Sequence, residues 1–266
     1  FTFSAFWKDK YDFITTTSLL IKDATGREIP RTIRINSDYA RTRGIEFGYI
    51  KRIGNWYNGQ ASFTYMVTTG QSSSANEKVK EIIATGAVED TKEYYLPWDC
   101  PIDFKSNHVF KLDRKEGLLG SKFLNKWSFY VETVTRSGIR YTQYKYSYTD
   151  ANTGRPIFVQ STDPNDRWNK LGEYWFWTDL TITKWWNFKG CKLSANLQIT
   201  NLFDNLNTSI VNPVTGKAYK TGDNVPDSWV DPRYNNPKQG VQGPPPTNPA
   251  RYMPQRHIVL GVAIKF

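Results

Sequence analysis

The stretch RHIVLGVAIKF, residues 256–266, decides how the whole chain is read. Ile258, Leu260, Val262, Ile264 and Phe266 stand at every second position, with His257, Val259, Gly261, Ala263 and Lys265 between them. A period of two is that of a pleated strand, whose side chains point alternately to opposite faces. A helix would scatter the same residues around its circumference. The segment predicts a β-strand with one apolar face and an aromatic ring at its end.

Seven earlier segments carry the same signal. The first is about Thr2–Thr16 and the second about Ile33–Ile50, where Ile45, Phe47 and Tyr49 alternate with Gly44, Glu46 and Gly48. In the third, Ala61, Phe63, Tyr65 and Val67 oppose Gln60, Ser62 and Thr64; in the fourth, His108, Phe110 and Leu112 oppose Asn107, Val109 and Lys111. The fifth sets Trp127, Phe129 and Val131 against Ser128, Tyr130 and Glu132, and the sixth sets Phe176, Leu180 and Ile182 against Asp179, Thr181 and Thr183. The seventh alternates Leu193, Ala195, Leu197 and Ile199 with Ser194, Asn196, Gln198 and Thr200. No segment has a convincing helical period.

The connections alternate in length. Short ones are expected near 52–55, 115–125 and 186–190, and long ones at about 17–32, 69–99, 137–170 and 203–254, the last rich in Gly, Pro, Asn and Asp. This is an up-and-down antiparallel meander with one plain and one elaborated rim, residues 1–266 forming part of a single domain. The short connections near 51–55, 114–126 and 184–192 carry +2, +3 and +3, most of the net charge of +10. A basic plain rim suits anionic headgroups, and it equally suits plain solvation.

Alternation alone does not separate a soluble sandwich from a membrane barrel. Three features favour the barrel. Aromatics crowd the strand ends while aliphatics fill their middles, the opposite face is Ser, Asn, Gln and Thr rather than a Lys/Glu mixture, and the long loops gather on one rim. No window approaches the 18 apolar residues of a membrane helix, and a barrel strand needs only about 9 to 11. Aromatic residues make 15% of the chain, a load that interfacial girdles would use. There is no basic helix, zinc spacing or RNA-binding sheet motif, so nucleic acid is not an expected partner.

Several segments resemble the C-terminal half of TonB-dependent outer-membrane receptors. FSAFWKDKYDFIT resembles that family's strand of aromatic-Lys-Asp character, and Arg43, Gly44, Ile45 and Glu46 resemble its Gly-[Ile/Val]-Glu strand. LPWDCPIDFKSNHVFKL is similar to its return strand, Asn201, Leu202, Phe203 and Asp204 to an Asn-Leu-Phe-Asp motif of the penultimate strand, and YMPQRHIVLGVAIKF to its terminal strand. The resemblance implies an all-β transmembrane barrel of 22 strands, of which this chain supplies about the last eight. It also implies a plug in the lumen from a missing N-terminal part, an inner-membrane energy-coupling protein acting through that part, and a Gram-negative outer membrane as location. Its implied function is import of a large or scarce solute such as a siderophore, glycan or peptide. Ile258, Leu260, Val262, Ile264 and Phe266 then look like the signal read by the barrel-assembly machinery.

No catalytic or metal constellation emerges. His108 and His257 lack a second ligand at metal spacing, Asp99, Asp103 and Asp113 form no acid–base pair, and no Ser sits in a nucleophile elbow. An enzyme and a cofactor are therefore not expected. Cys100 and Cys191 are expected at opposite ends of the wall, too far apart for a disulfide. Binding residues concentrate on loops held by a rigid scaffold. The candidate ligand contacts are thus Tyr94, Tyr95 and Trp98 in one loop and the alternating row Tyr141, Tyr144, Tyr146 and Tyr148 in another. Glu46, Glu132 and Asp179 are expected to face the lumen, toward plug or solute. The chain reads as a piece of something longer or as a processed product. A structural or secretion-associated barrel in a multi-protein complex, a free-standing eight-stranded barrel, and a surface lipoprotein on the loops stay open alternatives.

Overall fold

The computed structural model describes residues 1–22, 24–71, 93–113, 125–152, 154–161, 163–220, 223 and 251–266. The centre of the expected 69–99 loop, the expected turn at 115–125 except Asn125, and most of 221–250 lie outside the described residues.

Thirteen strands run along the described chain: β1 (Thr2–Lys22), β2 (Glu28–Ile53), β3 (Tyr57–Gly70), β4 (Tyr94–Tyr95), β5 (Ile102–Leu112), β6 (Trp127–Arg136), β7 (Arg140–Tyr141), β8 (Tyr144–Thr149), β9 (Pro156–Gln160), β10 (Lys170–Leu171), β11 (Trp175–Phe188), β12 (Cys191–Thr200) and β13 (His257–Lys265). One antiparallel sheet contains eight long strands in the order β1-β2-β3-β5-β6-β11-β12-β13, with β4 added on β3. Two small ribbons, β7 with β10 and β8 with β9, belong to the 137–170 connection. The single helical element among the described residues is a 3₁₀ turn at Pro164–Asp166.

Register joins the eight alternating patterns into one. Leu260 lies opposite Leu197, Leu197 opposite Ile182, Ile182 opposite Phe129, Phe129 opposite Phe110, Phe110 opposite Tyr57 and Tyr57 opposite Ile53. A second row runs Phe104–Phe63–Phe47–Phe3. Directly opposed residues share a face, so every apolar series lies on the same side of the sheet. The other side carries rows such as Gln60–Asn107–Glu132–Asp179 and Asn196–Thr183–Ser128. A slip of one residue between any two strands would break this segregation.

The apolar band also reveals the tilt. On β12 it runs from Leu193 to Ile199, with Leu197 near its middle, and following hydrogen-bonded partners from Leu197 across five strand steps arrives at Ile53. On β2, however, the outward run centres on Phe47, six residues higher. Strands about 4.8 Å apart and tilted 35–45° shift a level line by roughly 1 to 1.4 residues per step, or about 5 to 7 over five steps. The sheet has the slope of a barrel wall.

β1 and β13 end the strand order and are not paired with each other among the described residues, so these eight strands form an open wall and not a small closed barrel. The expected loop at 17–32 is corrected. β1 and β2 continue as a paired ladder to Lys22 opposite Glu28, and among the described residues between them 24–27 lie outside the ladder. At roughly 3.3 Å per residue the 26-residue β2 reaches about 85 Å, far more than a membrane crossing requires, so the ribbon stands above it.

Gly44 shows why its strand carries a glycine. A Cβ there would lie 2.5 Å from the Tyr65 carbonyl oxygen, 2.7 Å from the Phe6 ring and 2.9 Å from Met66 Cβ. The Phe6 ring covers the backbone in place of a side chain. At the plain rim, Gly190 at φ 89° closes the β11–β12 hairpin, where Phe188 meets Cys191. Cys100 and Cys191 are both free, one beside β5 at the loop rim and the other at the plain rim.

Two measurements check this wall. Nitroxide labels at Leu260 and Val262 should be relaxed by oxygen dissolved in lipid, and labels at Asn196 and Gln198 by an aqueous nickel chelate; the reverse pattern would invert the faces. Gly44→Ala should cost about 1–3 kcal/mol through overpacking, read as a lower denaturant midpoint.

Candidate functional site

Above the wall the connections pack into a platform fixed by a buried ion pair. Arg140 on β7 donates from Nε and Nη2 to Asp99 Oδ2, at 2.9 and 2.7 Å, while the Thr68 N–H at the top of β3 donates to Asp99 Oδ1 at 2.6 Å. Arg140 Nη1 reaches the carbonyls of Trp168 and Asn169, and the guanidinium stacks 3.7 Å from the Tyr95 ring centroid. The side chains are 6% and 0% exposed. Burial pushes the Asp99 pKa up, and Arg140 and the Thr68 amide pull against it. The pair thus ties β3, β4, β7 and the chain before β10 together. Removing one partner of such a pair strands a buried charge, at a cost of about 3–5 kcal/mol.

The aromatic residues expected to touch ligand divide into two groups. Tyr95 is covered by Arg140, and Tyr94 donates to the Gln71 carbonyl while Arg167 stacks 4.5 Å from its ring. Tyr141 is half-buried, and burial raises its hydroxyl pKa; the Tyr144 amide donates to the Pro213 carbonyl at 3.0 Å. These four build the platform. Trp98, Tyr146 and Tyr148 are exposed, and Tyr174, which periodicity did not single out, joins them at 56% exposure. Among the described ring contacts none joins Trp98 to the β8–β9 ribbon.

The expected tyrosine row is corrected. A register shift sets Tyr146 opposite Phe158 but Tyr148 opposite Ile157, which places the two rings on opposite faces. Tyr146 packs edge-on against Phe158 at 6.2 Å. At the ribbon's base, Lys145 and Ser161 hold the Asp166 carboxyl below the ordinary carboxylate range.

On the polar face Glu132 lies opposite both Asn107 and Asp179, and Tyr130 donates to Glu132 Oε2 at 2.7 Å. Glu46 lies opposite Ser4 and Thr64 and is exposed. Asp179 already has a task, because the Asn201 amide donates to its Oδ1 at 2.8 Å. That contact begins a second correction: Asn201, Leu202, Phe203 and Asp204 form the turn leaving β12 and not part of the strand. Asn201 and Asp204 have φ of 51° and 56°, a left-handed geometry that Asn and Asp tolerate. Asn201 accepts from the Asn205 amide and donates to its carbonyl, and Asp204 accepts from the Arg256 amide at 2.8 Å. The turn locks the exit of β12 to the approach to β13.

The family model described as TonB dependent receptor-like, beta-barrel matches residues 1–202. The chain belongs to this family. The match spans β1 to β12 and the first two residues of the turn that follows. No curated protein and no solved structure gives a significant match. Membership makes this TonB-dependent receptor barrel a bacterial outer-membrane protein of a receptor and transport family. In general such receptors carry a plug and take energy through TonB. Its apolar face is then the lipid face and its polar rows the lumen face.

What the sequence missed is the platform's construction. Asp99 and Arg140 are 41 residues apart, and nothing in the sequence around either pairs it with the other. The expected outcome for Arg140→Met is faster amide hydrogen exchange at Thr68, Leu96 and Asp99, with the lower wall unchanged. Adding Asp99→Leu should recover much of that protection at Leu96 and at position 99, because no buried charge then remains, but not at Thr68, whose amide loses its acceptor.

Proposed function

We propose that this receptor imports a large or scarce solute, such as a siderophore, glycan or peptide, captured by exposed aromatics on the loop platform and passed along a polar lumen wall. The carrying observation is the braced platform standing over that wall. A barrel serving only as an anchor needs the apolar outer face but has no use for loops pinned by a buried ion pair above rows of Gln, Asn and Thr. Trp98, Tyr146, Tyr148 and Tyr174 offer flat rings for stacking on sugars or aromatic ligands, each contact contributing about 0.5–1.5 kcal/mol.

Glu46 and Glu132 extend this reading into the lumen as contacts for plug or solute, Glu132 keeping the Tyr130 hydroxyl on one oxygen. Further strands beside β1 and β13 complete the barrel to about 22, since neither edge can meet hydrocarbon unpaired. A lipoprotein on the platform would meet the same exposed rings, and nothing at the platform favours it over a free solute.

The complete receptor should deplete one solute class from a mixture of ferric siderophores, oligosaccharides and peptides, and cells should lose uptake of that solute when a protonophore discharges the inner membrane. Trp98→Ala with Tyr146→Ala should lower uptake about tenfold at unchanged receptor abundance. If no solute binds and the receptor instead co-purifies stoichiometrically with a secretion assembly, the anchoring role replaces this one.

A further inference from the structure

The β8–β9 ribbon is a sheet of two strands and so has an edge on each side. Its hydrogen bonds tell which backbone groups point outward. At the base the Ser161 amide donates across the ribbon to the Gln143 carbonyl, and at the tip the Asp150 amide donates to the Arg155 carbonyl. The Tyr144 amide donates away from the ribbon, to Pro213. Inward and outward residues alternate along an antiparallel strand. On β9, therefore, Ile157 and Val159 bond to β8, while the C=O of Pro156 and the N–H and C=O of Phe158 and Gln160 point outward. Among the described residues these outward groups have no hydrogen-bond partner.

The two edges are unlike. On β8 the register shift between Tyr146 and Tyr148 leaves Ser147 as an extra residue, and Lys145 stands just before it. A bulge and a lysine are devices that keep an exposed edge from pairing with another chain. β9 has neither: Ile157, Phe158, Val159 and Gln160 run in regular register without a charge, and only Pro156 closes one end. The edge is also held in place. Tyr144 is fixed to Pro213, and Lys145 and Ser161 both bond the Asp166 carboxylate at the ribbon's base.

We propose that β9 captures the backbone of an extended peptide as a third strand of this ribbon, which makes a peptide the solute of the function proposed above. The inference rests on that reading of the platform as a capture surface. The groups to be matched select the chemical class. Outward donors and acceptors on β9 recur at every second residue, about every 6.8 Å, which is the interval of another extended backbone. Sugar hydroxyls and the chelating oxygens of a siderophore have no such repeat. The side chains of the added strand would lie beside Phe158 and Tyr146 on one face and beside Ile157, Val159 and Tyr148 on the other. Lys145, opposite Val159, is already engaged by Asp166. These neighbours favour β-branched or aromatic residues without charge.

The test uses the complete receptor in detergent and a fluorescein-labelled hexapeptide of alternating Thr and Val, followed by fluorescence anisotropy. The hexapeptide should bind, and the same sequence with every backbone amide methylated should bind about tenfold more weakly or worse. Gln160→Pro removes an outward N–H and sets a ring against the edge, and it should weaken the hexapeptide by about tenfold. Thr149→Pro makes the same change on the opposite edge and should leave binding unchanged. Slow hydrogen exchange at the Val159 amide, which bonds inward, confirms that the ribbon is formed in both variants. Equal binding by wild type and Gln160→Pro, or an equal loss in Thr149→Pro, would overturn the proposal. Binding of maltohexaose or ferrichrome without the hexapeptide would overturn it too while leaving solute capture in place, and binding of none of the three would remove the capture reading as well. A receptor dimer abolished by Gln160→Pro would assign the edge to a second copy of the chain and overturn the peptide.

Discussion

A chain placed in hydrocarbon has no water to satisfy its backbone, and every N–H and C=O must find a partner within the protein. For strands, that means pairing with neighbours on both sides and showing lipid a single apolar face. Nearly every feature of this wall follows from the requirement. The registers of β1 to β13 keep all outward series on one side, and the Gln60–Asn107–Glu132–Asp179 row on the other. Short hairpins such as Phe188 to Cys191 preserve that parity at the plain rim, where Lys184 donates to the Asn125 carbonyl between the rings of Trp127 and Trp186. A cation on the lipid face is tolerated there because its amine snorkels to the rim.

The same requirement explains where the protein keeps its core. In a soluble domain the apolar side chains meet one another inside. Here the wall's apolar face is solvated by lipid, and the fully buried apolar residues instead include Leu96, Ile210, Ala218 and Tyr219 in the platform. Only above the membrane does water drive burial in the ordinary way. The platform is small, so it supplements that burial with polar fasteners: Asp99 with Arg140, Asn207 with the Phe176 backbone, and Asn212 within its own hairpin.

How much could be read from sequence follows from how local each signal is. Period-two alternation is a property of consecutive residues, so all eight wall strands and the faces of seven were legible, down to Trp127, Phe129 and Val131 sharing a side. The platform rests on pairs such as Asp99–Arg140 and Thr68–Asp99, separated by 41 and 31 residues, and no pattern in either segment announces them. The ladder through 17–32 was not legible, because a ribbon standing above the membrane needs neither face buried and so carries no clean alternation. The Asn201–Asp204 motif was visible as a motif; its place in a turn was not, because alternation in β12 runs up to Thr200 without a break. At Tyr146 and Tyr148 one extra residue in a bulge undid an alternation that was correct in the sequence.

The polar fasteners also bear on why the rim holds its shape. Apolar contacts are nondirectional and tolerate sliding, whereas the planar fork of Arg140 meets Asp99 Oδ2 through two donors and stacks on Tyr95, which fixes both position and angle. On the function proposed above, a loop that presents rings to a dilute solute loses less entropy on binding when its base is already ordered. The β8–β9 ribbon carries Tyr146 and Tyr148 on such a base, held by Tyr144 against Pro213 and by Lys145 on Asp166. A lipid-facing cluster follows the same rule one storey lower, where Asp9 orders Trp7 and Arg41 and Arg43 stacks on the Trp7 ring. In both places the carboxylate serves as an organiser and the neighbouring ring or cation as the contact.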